Sequence, residues 1–266
     1  MTITKAHAYG NDFLLAPASG VSRDESALAR ELCERHTGIG ADGLILYTLR
    51  DRGATMRLLN ADGSWSELSG NGLRCVAALV ARAQDLQPGT TVTIESDAGV
   101  KALDLLARDS RRFEFRAAMG EPTEIRQVEI SLPGESVMAT VLRTGNPQCV
   151  VLGPLPTPER FNVLGRALST HAMFPAGTNV EFAQVDAPDR IRILIWERGV
   201  GPTTSSGTGS TAAAVAAASH GGASRSIDVM APGGLQHVDW HASGVFLTGW
   251  AELVFDGQWL GGNGSN

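Results

Sequence analysis

The chain has 266 residues, 43% hydrophobic and 19% charged, with a net charge of -6 at pH 7; that length carries one large or two medium domains with cores of their own. The acidic balance leaves no basic footprint for nucleic acid, no apolar run reaches the length of a membrane span, and Met1 to Gly10 lacks the pattern of a signal peptide. Three cysteines, Cys33, Cys75 and Cys149, form neither a CxxC pair nor an even-numbered framework, so a reducing, cytoplasmic location is expected.

In chain order, the first signal is a Gly10-Asn11 turn opening onto the apolar run Phe13-Leu14-Leu15. A helix should follow: Ser22 with Glu25 reads as a capping box, Leu28 and Leu32 share one apolar face, and Gly38 reads as the C-cap. Gly38 to Gly43 matches the G-x-G-x-x-G spacing of a dinucleotide site, but it follows a helix and opens the strand Leu44 to Tyr47, the wrong context for that fingerprint. Met56 to Leu59 reads as a strand ending at Asn60-Ala61-Asp62-Gly63. Ser69-Gly70-Asn71-Gly72 then leads into a helix expected over Leu73 to Asp85.

The same order then returns. Gly145-Asn146 opens an apolar run, and Thr157-Pro158 starts a helix, because proline suits the first helical position. Phe161, Leu164 and Leu168 mark its apolar face. Gly177-Thr178-Asn179-Val180, the strand Ile191 to Leu194 and Glu197-Arg198 follow. Ser206-Gly207-Thr208-Gly209 leads into a helix expected over Ser210 to His220, stopped by Gly221-Gly222. From Gly10 to Gly145, from His36 to His171 and from Met56 to Ile191 the offset is 135; from Ser69 to Ser206 it is 137. The second loop therefore reads as two residues longer. Matches in this order imply an internal duplication, whose halves should pack about a pseudo-two-fold axis with the two Ser-Gly-x-Gly turns facing one cleft.

Further along, His237, Asp239 and His241 share one face of a strand and read as the exposed alternation of an edge strand, not as a metal site. The tail from Gly257 to Asn266, rich in Gly and Asn, should fray. Lys5 and Lys101 are the only lysines, and neither lies in a motif suited to a Schiff base with pyridoxal phosphate. No metal and no cofactor is expected.

A glycine turn that opens a helix presents free amide N–H groups and the positive end of the helix dipole, which together make an anion site. Two such ends on one cleft would hold a single carboxylate, with Ser69 and Ser206 on opposite sides of the adjacent carbon. That geometry suits removing a proton from one face of a stereocentre and returning one to the other. Serine is also a favoured helix N-cap, and taken singly each of these serines reads as a cap. Asn11, Asn60, Asn146 and Asn179 lie on the same loops as Glu197 and Arg198. Arg for a carboxylate and Glu for an ammonium suit a small zwitterion, while turn chemistry alone also accounts for each asparagine.

These residues resemble the diaminopimelate epimerase family. The likeness rests on Lys5 to Phe13, Thr37 to Gly43, Asn60 to Cys75, Gly145-Asn146-Pro147, Gly177 to Phe182 and Trp196 to Gly209. It implies an α/β (α+β) fold of two similar domains, each a sheet wrapped around a central helix. Residues 1–116 would form one domain, joined by a C-terminal strand at about 253–266, and residues 117–252 the other. It implies a cofactor-independent isomerase of a small amino acid such as LL- or meso-diaminopimelate, on the route to lysine and peptidoglycan, with a homodimer expected because family members often dimerise. Asn11, Asn60, Asn146, Asn179, Glu197 and Arg198 would contact substrate, and the backbone at Gly70-Asn71 and Gly207-Thr208 would hold its carboxylate.

The chain departs from the family at the reacting positions. Where the family carries two catalytic cysteines, Ser69 and Ser206 stand here. Gln148 replaces the histidine that supports the first cysteine, Pro202 stands where the family usually has Glu, and Glu197, which supports the second, remains. Departures beyond the thiols read as natural divergence, not as a pair engineered to trap substrate. A serine hydroxyl is a far weaker acid than a thiol and needs an adjacent base. Three readings follow: an epimerase working through Ser69, Ser206 and Glu197; a dehydratase or double-bond isomerase needing a single base; or a module that binds an amino acid without turning it over.

Overall fold

The structure is a computed structural model and describes residues 1–21, 24–66 and 69–260. It separates into two compact units, one of Met1–Arg116 with Trp250–Asn266, the other of Ala117–Gly249.

The first unit begins with β1 (Thr2–Ala8), β2 (Asn11–Pro17), α1 (Glu25–Cys33), β3 (Gly43–Arg50), β4 (Gly53–Asn60), β5 (Trp65–Ser66) and α2 (Gly70–Ala83). It continues through β6 (Thr91–Ser96) and β7 (Gly99–Arg108) into β8 (Arg112–Gly120), which runs past the division. β2 runs parallel to β3, β3 antiparallel to β4, β4 antiparallel to β5 and parallel to β6, and β6 antiparallel to β7. α2 is buried at every position from Asn71 to Ala81 and packs against β1, β2, β3, β4, β6 and β7. Its alanines, valines and leucines bring no polar group into that core.

The second unit comprises β9 (Thr123–Leu132), β10 (Glu135–Thr144), β11 (Asn146–Leu152), α3 (Pro158–Ser169), β12 (Asn179–Ala187), β13 (Arg190–Glu197) and β14 (Gly201–Thr203). After them come α4 (Gly207–His220), β15 (Ser226–Ala231), β16 (Gly234–His241) and β17 (Gly244–Gln258). The ladder scheme matches that of the first unit. β11 is parallel to β12, β12 antiparallel to β13, β13 antiparallel to β14 and parallel to β15, and β15 antiparallel to β16. α4 is wrapped by β10, β11, β12, β13, β15 and β16, with Ala212 to Ala217 all buried. Each unit is thus a sheet around a central helix.

Several local expectations need correction. Ser22 lies outside the described residues; the N-cap of α1 is Asp24, whose carboxylate accepts from the Ser26 amide at 3.0 Å. α1 ends at Cys33 with Glu34 as its C-cap, so Gly38 is not the cap. Gly38 is needed for a different reason: a Cβ there would lie 2.3 Å from the Glu31 carbonyl oxygen. Both central helices start three residues earlier than expected, at Gly70 and Gly207, because each serine caps directly onto its glycine. The second glycine loop is not longer. β4 ends at Asn60 and β13 at Glu197, at equal distances before Ser69 and Ser206. The register shift between Val185 and Ala187 in the β12–β13 hairpin takes up one of the additional residues upstream.

β16 is not an edge strand, since it pairs with both β15 and β17. Its His237 is engaged by Asp228 at 2.7 Å and Asp239 at 3.3 Å. Among the described residues no cluster of His, Cys, Asp and Glu could hold a metal, and no helix is long and apolar enough to cross a membrane. Gly257 and Gln258 belong to β17; residues 261–266 of the expected fraying tail lie outside the described residues.

Candidate active site

Ser69 and Ser206 are both helix N-caps. Ser69 Oγ accepts from the Gly72 amide at 3.1 Å, and Ser206 Oγ accepts from the Gly209 amide at 3.2 Å. Serine in an extended conformation before a helix does this because its oxygen satisfies one of the orphan amides of the first turn. Accepting leaves each hydroxyl proton free to donate, and here the two sites differ. Beside Ser206 stands Glu197, at the end of β13. Burial pushes the Glu197 carboxyl above the ordinary carboxylate range, while the Ser206 hydroxyl beside it pulls it part of the way back. A carboxyl so raised exchanges protons nearer neutral pH.

The first unit gathers charge around Asn11. Asn11 Nδ2 donates to Asp42 Oδ2 at 2.8 Å, and Asn11 Oδ1 accepts from Asn71 Nδ2 at 3.2 Å. Arg35 pairs with Asp42 at 2.8 Å and with Asp12 at 3.2 Å; Lys5 pairs with Asp12 at 2.6 Å. Burial alone would raise Asp12, but the pull of Lys5 and Arg35 outweighs it and holds the carboxyl low. Arg74, wholly buried, donates to Asn71 Oδ1 and sits 5.6 Å from the centre of the Tyr9 ring. Asn60 is exposed and donates to Ser64 Oγ at 2.9 Å.

In the second unit Asn179 Oδ1 accepts from the Arg198 amide at 2.9 Å. The Arg198 guanidinium donates to the Ala176 carbonyl at 2.9 Å and packs over Gly177, where a Cβ would meet its Cδ at 2.9 Å. Thr144 Oγ1 donates to the Thr208 carbonyl at 3.3 Å, tying the first turn of α4 to β10. The α4 turn therefore brings Ser206, Gly207 and Thr208 together with Glu197, while Asn179 and Arg198 form a second group tied to Gly177.

The cysteines do not replace the missing thiols. All three are buried, and burial pushes the Cys33 and Cys75 thiols up to about 12 and raises Cys149 as well. None forms a thiolate at neutral pH.

Sequence reasoning missed Asp42, Arg74 and Glu181. Glu181 on β12 is fully buried between Val180 and Phe182, and its carboxyl faces the side chain of Gln148. Desolvation, then the charge of Glu197, pushes it well above the ordinary carboxylate range. The signal was present as a charged residue inside an apolar strand, where an unpaired charge is expensive.

The family model for diaminopimelate epimerase matches residues 3–125 and 140–254. The chain belongs to the diaminopimelate epimerase family. A diaminopimelate epimerase of Desulforudis audaxviator is 40% identical, the match covering 98% of this chain and 99% of the relative. One from Desulfitobacterium hafniense is 37% identical with 98% of each covered. Among solved structures, a Pseudomonas aeruginosa protein described as a predicted epimerase superposes with a TM-score of 0.72 at 17% identity, covering 98% of this chain and 99% of that one. A hydroxyproline epimerase from Agrobacterium vitis, with bound trans-4-hydroxy-L-proline, gives 0.65 at 18%, covering 97% and 90%. At those identities the structures speak for the fold alone. The relatives that share the chain's length are isomerases, and so is the family.

Proposed function

We propose that this family member is a cofactor-independent isomerase of a small zwitterionic amino acid such as diaminopimelate, and that its proton transfer is lopsided and slow. The observation that carries the reading is the pairing of Ser206 with a raised Glu197 carboxyl, with Ser69 hydrogen-bonded as the cap of α2. In this reading Ser69 and Ser206 face each other across a cleft between duplicated halves. The amides at Gly70-Asn71 and Gly207-Thr208 hold the α-carboxylate. Asn11, Asn60, Asn146, Asn179 and Arg198 grip the rest of the substrate, in a soluble cytoplasmic homodimer.

On the Ser206 side the α-proton passes to Ser206 Oγ as the hydroxyl proton passes to the Glu197 carboxylate. On the other face Ser69 Oγ would give its proton to the carbanion and be left an alkoxide, to be reprotonated from solvent. General acid–base catalysis contributes roughly 10²–10⁴-fold and works best when the pKa lies near the working pH. Among the described residues no base stands at Ser69, and a serine so placed forfeits much of that, so exchange from the Ser206 side should outrun inversion.

The test is incubation with LL- and meso-diaminopimelate in D₂O, following α-deuteration by mass spectrometry beside calorimetric binding. Binding with deuteration faster than epimerisation, and one stereoisomer labelled first, is expected. The triple variant Ser69→Cys, Ser206→Cys and Gln148→His should raise epimerisation by orders of magnitude. Epimerisation by the unaltered chain at an ordinary enzymatic rate, on the order of 1–10³ s⁻¹, would refute the lopsided mechanism, and failure to bind would remove the substrate.

A further inference from the structure

The group that the proton-transfer chemistry leaves unused is Glu181. Its side chain is completely buried on β12, flanked along the strand by Val180 and Phe182. α4 closes over it: a Cβ on Gly209 would lie 2.7 Å from Glu181 Oε1. Among the described residues the titratable neighbours are Glu197 on β13 and Cys149 on β11, and neither supplies a positive charge. The side chain that meets the Glu181 carboxyl is Gln148, itself fully buried on β11. One terminal atom of the Gln148 amide lies 3.0 and 3.2 Å from the two Glu181 oxygens. The other lies 2.6 Å from Asn146 Oδ1.

Which of the two amide atoms faces Glu181 depends on whether the carboxyl carries a proton. Two arrangements provide consistent hydrogen bonds. If Glu181 is ionised, Gln148 must turn its NH₂ toward it and its oxygen toward Asn146. Asn146 must then turn too, donating to Gln148 and presenting its own oxygen outward. If Glu181 is a carboxylic acid, it donates to Gln148 Oε1, Gln148 donates to Asn146 Oδ1, and Asn146 keeps both hydrogens of its NH₂ to offer outward. The second arrangement leaves no buried anion. The first strands one beside a neutral amide and near a second carboxyl, which is the costly case. The direction in which Glu181 is pushed agrees with the second.

We propose that Glu181 holds its proton and, through the amide of Gln148, fixes Asn146 as a hydrogen-bond donor to a carboxylate of the substrate. Glu181 is then a positioning residue that sets specificity: its proton decides whether Asn146 greets an anion or a cation. The proposal rests on the zwitterionic substrate reading above, and its tests separate the two.

The conservative variant Glu181→Gln reproduces the acid, since its Nε2–H can donate to the same Gln148 oxygen, whereas Glu181→Leu cannot. Calorimetric binding of diaminopimelate should survive Glu181→Gln within about twofold and weaken roughly 10- to 100-fold in Glu181→Leu, the span of one hydrogen bond to a charged group. If Glu181→Leu fails to fold, Gln148→Leu breaks the same relay and should weaken binding by the same factor. A readout without substrate is the infrared difference spectrum between the unaltered chain and Glu181→Gln at neutral pH, which should show the C=O stretch of a carboxylic acid. Absence of that band overturns the proposal, whatever the substrate. So does loss of α-deuteration in Glu181→Gln equal to that in Glu181→Leu, which would make Glu181 an ionised base. Unchanged binding in both Glu181→Leu and Gln148→Leu overturns it as well. If the unaltered chain binds no diaminopimelate yet the band is present, the substrate reading falls, and the protonated relay is then carried to other carboxylates through the same variants.

Discussion

Ser69 and Ser206 are helix N-caps, and the proposed chemistry would draw on a different atom of the same side chain. As caps they use an oxygen lone pair; as catalysts they would use the proton. Ser69→Ala should therefore cost about 1 kcal/mol of stability, the usual worth of an N-cap, read from urea denaturation. A change indistinguishable from zero would mean that the Gly72 amide finds another partner. Ser206→Ala should cost a similar amount and also remove the donor that holds Glu197 down. For activity, the base must be ionised. Because burial raises Glu197 above the carboxylate reference of 4.5, α-deuteration by the unaltered chain should climb with pH along a limb displaced upward from that value. A rate already flat from pH 5 upward would contradict Glu197 as the base. At this scale motifs in the sequence point to Ser69, Ser206, Glu197 and the asparagines as candidates. It hid Glu181, Arg74 and Asp42, whose importance comes from partners far along the chain: Gln148, Tyr9 and Asn11.

The elements were legible wherever a local rule decided them. Thr157-Pro158 starts α3 as proline chemistry requires, the Thr157 hydroxyl accepting from the Arg160 amide, and Phe161, Leu164 and Leu168 are its buried face. Where tertiary packing decided, local rules fell short. β16 alternates like an edge strand, yet β17 covers its far side, and the C-cap of α1 depends on a loop folding back on the helix end. Packing also fixes Gly165. At Gly165 a Cβ would lie 2.7 Å from Trp196 Cε3, so Gly165→Ala should push α3 off β13 and destabilise by about 1–3 kcal/mol, as overpacking does, against a helix-propensity gain of up to about 1 kcal/mol. A stabilised variant in urea would show that Trp196 can move away freely. On β16, desolvation pulls the His237 pKa down, but Asp228 and Asp239 outweigh it and the net shift is upward. The resulting stability is complete below the unfolded value of about 6.5 and is lost as pH rises through the folded one. His237→Gln should thus lower the melting temperature in mild acid and lose its effect in alkaline buffer; an effect that grew with pH would reverse the assignment.

At the scale of the whole molecule, the first unit depends on both ends of the chain. β17 begins in the second unit, where Gly244 to Thr248 pair with β16, and its later residues pair with β1, from Glu252 opposite His7 to Gln258 opposite Thr2. Tyr9 Oη accepts from the Trp250 amide at 3.1 Å, Arg112 stacks 4.2 Å over the Trp250 ring, and Ala251 and Leu253 are buried. Asp256 accepts from Thr4 Oγ1 at 2.6 Å and pairs with Arg82 at 2.8 Å. The second unit, Ala117–Gly249, is one continuous stretch. Contacts between residues far apart in sequence form late, because loop closure must precede them. Folding of the first unit should therefore wait for the final strand, although its own residues are made first. Truncation after Gly249 removes β17 beyond the second unit, strips β1 of a partner and takes the Trp250 amide away from the Tyr9 hydroxyl. In hydrogen exchange on the truncated chain, amides of β1 and β2 should lose most of their protection while those of β11 to β13 keep theirs. In pulse-labelled refolding of the intact chain, β11 to β13 should be protected before β1. Protection of β1 in the truncated chain equal to that in the intact one would show that the first unit closes on its own.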